Sequence, residues 1–172
     1  KTLHREFVEE DDIEARFRRE VKLARRVTDR NVARIYDFGL DDDVPYLTME
    51  YIPGEPLDEV LEREGALNAG EVRACIEPIC RGLEAIHQAE IVHRDLKPQN
   101  VMVGTERVAI TDFGIARAAP HSSHFSISQE GLVGTPAYMA PEQVQSSGEI
   151  DARTDIYALG VMLFRMLTGR FP

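Results

Sequence analysis

The chain has 172 residues, with 20 Lys and Arg against 30 Asp and Glu for a formal charge of −10, and with 43% hydrophobic and 29% charged residues. That is the make-up of a globular chain long enough to bury a sizeable core. A surplus of acid spread along its length argues against a surface built mainly to neutralise phosphate backbones or anionic lipid, so neither nucleic acid nor membrane is expected as a partner.

The chain opens on Lys1 without a basic, apolar and small-residue leader, which reads as a cut rather than a signal peptide. Ile13, Phe17, Ala24 and Val27 recur at helical spacing, with Arg16, Arg18, Arg19, Lys22 and Arg25 on the other faces, and predict an amphipathic helix. Glu20 breaks the pattern. At about 100° per residue it falls between Ile13 and Val27 inside the apolar stripe, so its carboxylate faces whatever the helix packs against. An inward carboxylate needs a cation or takes up a proton; the plain alternative is a Glu at the margin that reaches solvent.

Val32–Phe38 and Tyr46–Ile52 are β-rich runs joined by the acidic turn Asp41–Asp43, most simply an antiparallel hairpin ended by Pro53-Gly54. A short helix around Leu57–Leu61 follows. Asn68 with Glu71 predicts a capped helix carrying Ile76, Ile79, Leu83 and Ile86 along one side, and Pro78 inside it is expected to bend or break it. Cys75 and Cys80 in the same pattern match neither a disulfide framework nor paired zinc spacings and read as core thiols. Short strands near Val101–Val103 and Val108–Thr111 precede a loop-like stretch rich in Ser and Gly from Pro120 to Gly134. Ile156–Leu167 reads as a helix apolar nearly all the way round and packed on several sides. The longest apolar stretch, Ile156–Phe164, is nine residues, short of the roughly 20 that span a bilayer.

Three motifs carry the chemistry. His93-Arg94-Asp95-Leu96-Lys97-Pro98-Gln99-Asn100 is followed by Asp112-Phe113-Gly114 and then by Gly134-Thr135-Pro136-Ala137-Tyr138-Met139-Ala140-Pro141-Glu142. Each triplet alone occurs by chance in many chains. In this order and at these separations they resemble the catalytic loop, metal-binding turn and activation-segment end of the eukaryotic-like (Hanks-type) Ser/Thr protein kinases of bacteria. The resemblance runs from Lys1 to Pro172. It implies an α+β, two-lobe protein-kinase fold truncated at both ends, with residues 1–49 a partial N-terminal lobe and residues 50–172 the hinge and a partial C-terminal lobe.

Phosphoryl transfer passes through a loose transition state, which leaves the protein to position reactants and stabilise charge. By the resemblance, Asn100 and Asp112 offer hard oxygen ligands for Mg²⁺ on the phosphates of ATP, and Asp95 accepts or orients the proton of the attacking hydroxyl. Lys97 directs its charge at the phosphoryl group and favours Ser or Thr hydroxyls over Tyr; a surface ion pair with Asp95 is the ordinary alternative. Lys1-Thr2-Leu3 resembles the end of the strand whose Lys holds the α- and β-phosphates and pairs with a helical Glu. Glu20, nineteen residues on, suits that partner and is the same Glu that periodicity turns inward.

Met49-Glu50-Tyr51-Ile52 takes the hinge position, where backbone groups of Glu50 and Ile52 would hydrogen-bond an adenine edge and Met49 would flank the pocket; plain strand core would favour the same residues. Arg94 would meet a phosphorylated activation-loop residue. Ser126 and Ser128 are favoured over Ser122 and Ser123 for that role, against the alternative of a solvated serine-rich loop. Thr135 is expected to hydrogen-bond near Asp95 and Lys97. Asp155 is expected to cap the last helix and brace the catalytic loop from beneath, and Glu142 to pair with an Arg beyond this chain.

The resemblance therefore implies a Ser/Thr protein kinase that uses ATP and Mg²⁺, acts on protein substrates, autophosphorylates its activation loop, with a homodimer as the vehicle, and works in the cytoplasm, any membrane anchor lying outside these residues. Without a glycine-rich loop, the stretch by itself is expected to be inactive and to bind ATP weakly. A pseudokinase, a kinase-shaped scaffold without phosphoryl transfer, is the competing class, against which Lys1, Asp95, Asn100 and Asp112 count. A small-molecule phosphotransferase is the third, against which Arg94 and Glu142 count.

Overall fold

The computed structural model describes residues 19–41, 44–113, 127–128, 131–132, 136–145 and 150–172. A helix covers residues 19–24 (α1). Val21, Ala24 and Val27 are buried, as the stripe requires, while Ile13 and Phe17 lie outside the described residues. Strands β1 (Ile35–Asp41) and β2 (Val44–Met49) form the expected antiparallel hairpin, with Ile35 opposite Met49 and Asp41 opposite Val44.

Both strands sit off the predicted runs, for a tertiary reason. The segment before β1 leaves the hairpin to pair elsewhere: Ala33 N–H donates to the Ile110 carbonyl and Ile110 N–H to the Asn31 carbonyl, both at 2.8 Å. A three-stranded antiparallel sheet follows, in the order β3 (Glu55–Pro56), β4 (Val101–Val103), β5 (Val108–Ile110). The Pro53-Gly54 break lets two backbones touch. Gly54 has φ +151°, and a Cβ on it would stand 2.4 Å from the Val103 carbonyl oxygen, a position only glycine tolerates.

Helix α2 (Leu57–Glu64) leads into α3 (Ala69–Gln88). The predicted cap of α3 is present in full: Asn68 Oδ1 accepts the N–H groups of Gly70 and Glu71 at 2.9 and 3.1 Å, and Glu71 Oε2 accepts the Asn68 N–H at 2.8 Å. Of the bend or break expected at Pro78 the break does not occur, and α3 runs unbroken for 20 residues. Pro removes one helical donor, whereas Cys75, Ile79, Gly82, Leu83 and Ile86 on the flanking turns hold this face against β5 and the last helix. Helical stability resides mostly in such packing. Cys75 is buried as expected, but Cys80 is exposed, one step of about 100° round from buried Ile79.

Within the stretch read as loop, β6 (Ile127–Ser128) pairs with β7 (Gly131–Leu132). A two-residue ladder is too short to leave an alternating pattern. Helix α4 (Pro141–Gln145) precedes α5 (Ala152–Thr168). The N-cap of α5 is Asp151, whose carboxylate accepts the Arg153 N–H at 2.8 Å; Asp155 lies inside the first turn instead. Helix α5 buries Thr154, Asp155, Ala158, Val161, Met162 and Met166. Ile156, Tyr157, Phe164 and Leu167 are exposed, so among the described residues the helix is packed along one face rather than on several.

One apolar core runs from Val21 through Leu47, Leu57, Ile79, Ile86, Ile110 and Phe113 to Met162 and Met166, where each buried side chain of this size contributes about 1.5–3 kcal/mol. It is the platform on which the polar loop after α3 rests. Among the described residues no helix is long and apolar enough to cross a membrane.

Candidate active site

The loop between α3 and β4 is held from below by one buried carboxylate. Asp155 is wholly buried; its Oδ2 accepts the His93 N–H and its Oδ1 the Arg94 N–H, each at 2.8 Å. His87 Nε2 lies 2.7 Å from Oδ2. The bracing expected of Asp155 is thus found, without the capping. His93 is buried too: its Nε2 donates to the Thr111 carbonyl at 3.1 Å and its Nδ1 accepts the Asp95 N–H at 3.3 Å. That pattern needs the neutral ring. Burial pushes the His93 pKa below its ordinary value, against the opposing pull of Asp155 and Asp95.

On this base Asp95, Lys97 and Asn100 stand side by side. Lys97 Nζ lies 3.0 Å from Asp95 Oδ1 and 2.8 Å from Oδ2. Asn100 Nδ2 donates to the Asp95 carbonyl at 2.7 Å and approaches Asp95 Oδ2 at 3.2 Å. The Asp95 side chain is 44% exposed, so an incoming group can reach it. With its amide nitrogen committed to Asp95, Asn100 turns its Oδ1 the other way.

The β4–β5 pairing brings Asp112 to the same end of the sheet, since Thr111 N–H donates to the Asn100 carbonyl at 2.8 Å and Val101 stands opposite Ile110. Asp112 adopts φ +59°, its Oδ1 is shielded from solvent, and Phe113 beside it is buried. Left-handed backbone at residues other than glycine is kept only where the surroundings enforce it; Arg94 does the same at φ +68°. Among the described residues no three His, Cys, Asp or Glu side chains cluster to hold a metal alone. An amide oxygen and a carboxylate, with the rest of the shell from phosphate and water, form a donor set that fits a hard divalent cation.

Two contacts here leave no mark in the motif. Gln143 on α4 donates from Nε2 to the Arg94 carbonyl at 2.7 Å and accepts the Ala140 N–H on Oε1 at 3.1 Å. Its position as third residue of a helix opened by Pro141 is a capping signal, but the contact to Arg94 is not. Arg107 Nη2 pairs with Glu50 Oε1 at 2.5 Å, and Glu50 Oε2 accepts the Arg34 N–H at 3.2 Å. Glu142 accepts the Thr154 hydroxyl at 2.8 Å.

At the predicted hinge, Glu50 N–H donates to the Arg34 carbonyl at 2.7 Å. That group continues the strand pairing. Ile52 is buried with Ala33 and Ala109, and Met49 is half-buried against the main core. Glu20 is half-buried with Oε2 shielded from solvent, in line with an inward carboxylate. Its expected partner Lys1, together with Ser126, Thr135 and the side chain of Ser128, lies outside the described residues.

A family model described as "Protein kinase domain" matches residues 1–172. A probable serine/threonine-protein kinase of Clostridium acetobutylicum is 37% identical over 173 residues, covering 100% of this chain and 26% of that protein. The serine/threonine-protein kinase PksC of Streptomyces coelicolor is 43% identical over 182 residues, covering 100% of this chain and 32% of its own length. The crystal structure of the Mycobacterium tuberculosis PknI kinase domain superposes with a TM-score of 0.77 at 27% identity, covering 100% of this chain and 63% of that one. The chain thus spans about a quarter to a third of the length of these two curated relatives.

Proposed function

The chain belongs to the protein kinase domain family, and on that premise we propose that it carries the phosphoryl-transfer centre of a Ser/Thr protein kinase, which moves the γ-phosphoryl of Mg-ATP to a protein Ser or Thr hydroxyl. The observation that carries the reading is the contact of Lys97 Nζ and Asn100 Nδ2 with one accessible carboxylate, Asp95. In the reaction a bond forms between the substrate oxygen and the γ-phosphorus, the bond to the ADP oxygen breaks, and the hydroxyl proton leaves by way of Asp95. Asp95 orients that hydroxyl, and Lys97, its Nζ 2.8 Å from Asp95 Oδ2, faces the charge on the transferring group.

Asn100 Oδ1 and the Asp112 carboxylate would hold Mg²⁺, which supplies phosphate charge neutralisation when bound. Lys1, paired with Glu20, would hold the α- and β-phosphates. The Glu50 carbonyl and the Ile52 backbone would read the adenine edge beside Met49. In this reading residues 1–49 belong to the smaller lobe and residues 50–172 to the hinge and larger lobe. Arg94 receives a phosphate placed on Ser126 or Ser128 by a second copy of the chain, and Thr135 shapes the acceptor site. Dependence on ATP supports a cytoplasmic place of action.

The test is to incubate the whole protein that contains this chain with Mg-ATP and a generic acceptor protein, then map phosphate by mass spectrometry. Phosphate on Ser and Thr, including Ser126 or Ser128, is the expected result. Phosphate on Tyr alone, or on nothing, would overturn the reading.

A further inference from the structure

We propose that Gln143 is a positioning residue for phosphoryl transfer, its side-chain amide holding the Arg94–Asp95 peptide through the Arg94 carbonyl; the proposal rests on the kinase reading above. Arg94 sits in left-handed backbone at φ +68°, a conformation unfavourable for a residue with a Cβ unless its neighbours hold it. Both of its backbone polar groups are held by side chains from distant elements. Asp155 on α5 takes the N–H at 2.8 Å, and Gln143 on α4 gives to the carbonyl at 2.7 Å.

That carbonyl belongs to the same peptide plane as the Asp95 N–H, which His93 Nδ1 accepts at 3.3 Å. The tilt of this plane sets the direction in which Asp95 projects its carboxylate. Gln143 fixes one edge of the plane and His93 the other. The Gln143 amide cannot flip without losing both contacts, because Oε1 is engaged by the Ala140 N–H at 3.1 Å, where only an oxygen can accept. Gln143 lines the same small pocket as Asp95, Lys97, Tyr138 and Met139. A tie between the end of the activation segment at Ala140 and the residue before Asp95 therefore passes through one side chain.

A purely structural role has a different signature. Gln143 is the third residue of α4, where an acceptor on the preceding N–H is half of a capping box. Glu performs that capping as well as Gln and is favoured by the helix dipole. Only the donation to Arg94 requires the amide. Gln143→Glu thus keeps the cap and sets an oxygen against a carbonyl oxygen, while Gln143→Ala removes both contacts.

The experiment compares the whole wild-type protein with Gln143→Glu and Gln143→Ala, measuring kcat, the KM for ATP and the melting temperature. The proposal expects kcat to fall about tenfold or more in both variants, as for a small misplacement of a reacting group. The KM for ATP should stay within about twofold, and kcat is read well below the lowered melting temperature of each variant, where all three proteins are fully folded. A Gln143→Glu protein with wild-type kcat overturns the proposal. Were the wild type itself to transfer no phosphate, the kinase reading would fail separately. Amide exchange at Asp95 then decides: faster exchange in Gln143→Glu supports the clamp, and equal exchange removes it.

Discussion

Asp155 Oδ1 accepts the backbone N–H of Arg94 at 2.8 Å, across 61 residues of chain. The same carboxylate takes the His93 N–H and meets His87, so α5 supports the catalytic loop through one wholly buried acid. Such a group is stabilising only while every donor around it is answered. In Asp155→Asn one oxygen becomes an NH₂ facing a donor, and the expected loss of unfolding free energy is about 3 kcal/mol. Denaturant unfolding of the two proteins checks it, and a loss under about 0.5 kcal/mol would contradict the bracing role.

His93 makes stability depend on pH near neutrality. Its pKa is lowered from 6.5 in the fold by burial, so below that value the unfolded chain takes up a proton that the folded chain refuses. The contribution is complete above pH 6.5 and is lost as the pH falls from 6.5 toward the folded value, with a slope of up to about 1.4 kcal/mol per pH unit. Unfolding free energies at about pH 7.5 and about pH 5.5 should differ more in wild type than in His93→Gln. Equal differences in the two proteins would show that His93 binds its proton alike in both states.

The Glu50–Arg107 pair ties the strand end at the predicted hinge to the β4–β5 turn, where Arg107 Nη1 also donates to the Arg30 carbonyl at 3.0 Å. With side chains 22% and 29% exposed, the pair is sheltered enough to set geometry. Arg107→Ala should raise the KM for ATP about three- to tenfold and leave kcat nearly unchanged, the pattern of lost ground-state binding. Steady-state kinetics at saturating acceptor protein separates the two constants.

On the proposed reading, Asp112 would hold the cation. In Asp112→Asn the Mg²⁺ concentration that half-saturates nucleotide binding should rise about tenfold or more, because a neutral amide replaces the single carboxylate of the donor pair. A Mg²⁺ titration followed by fluorescent-nucleotide binding reads this directly, and an unchanged midpoint would remove Asp112 from the metal site.

Legibility in the sequence follows the range of the interaction. The cap of Asn68 and Glu71 is local and reads directly, and so does the proximity of Asp95, Lys97 and Asn100, which meet within six residues of chain. The hairpin is legible in kind but not in its ends, because the Asn31–Ala33 segment is drawn away by β5, some 80 residues later. Pro78 does not end its helix because a local rule meets packing against two distant elements. Asp155 is misread as a cap because Asp151, four residues earlier, satisfies the same rule. The contact of Gln143 with Arg94 spans 49 residues and that of Arg107 with Glu50 spans 57, and no spacing within either segment encodes them.

The most direct test of the account is phosphoryl transfer from Mg-ATP by the whole protein beside Asp95→Asn, which keeps the size of the side chain and removes the carboxylate. Asp95→Asn should bind nucleotide as wild type does while transferring phosphate about 10²- to 10⁴-fold more slowly, the usual worth of a positioned acid–base group. Transfer by Asp95→Asn at the wild-type rate would contradict the assignment of Asp95, and with it the centre built on Lys97 and Asn100.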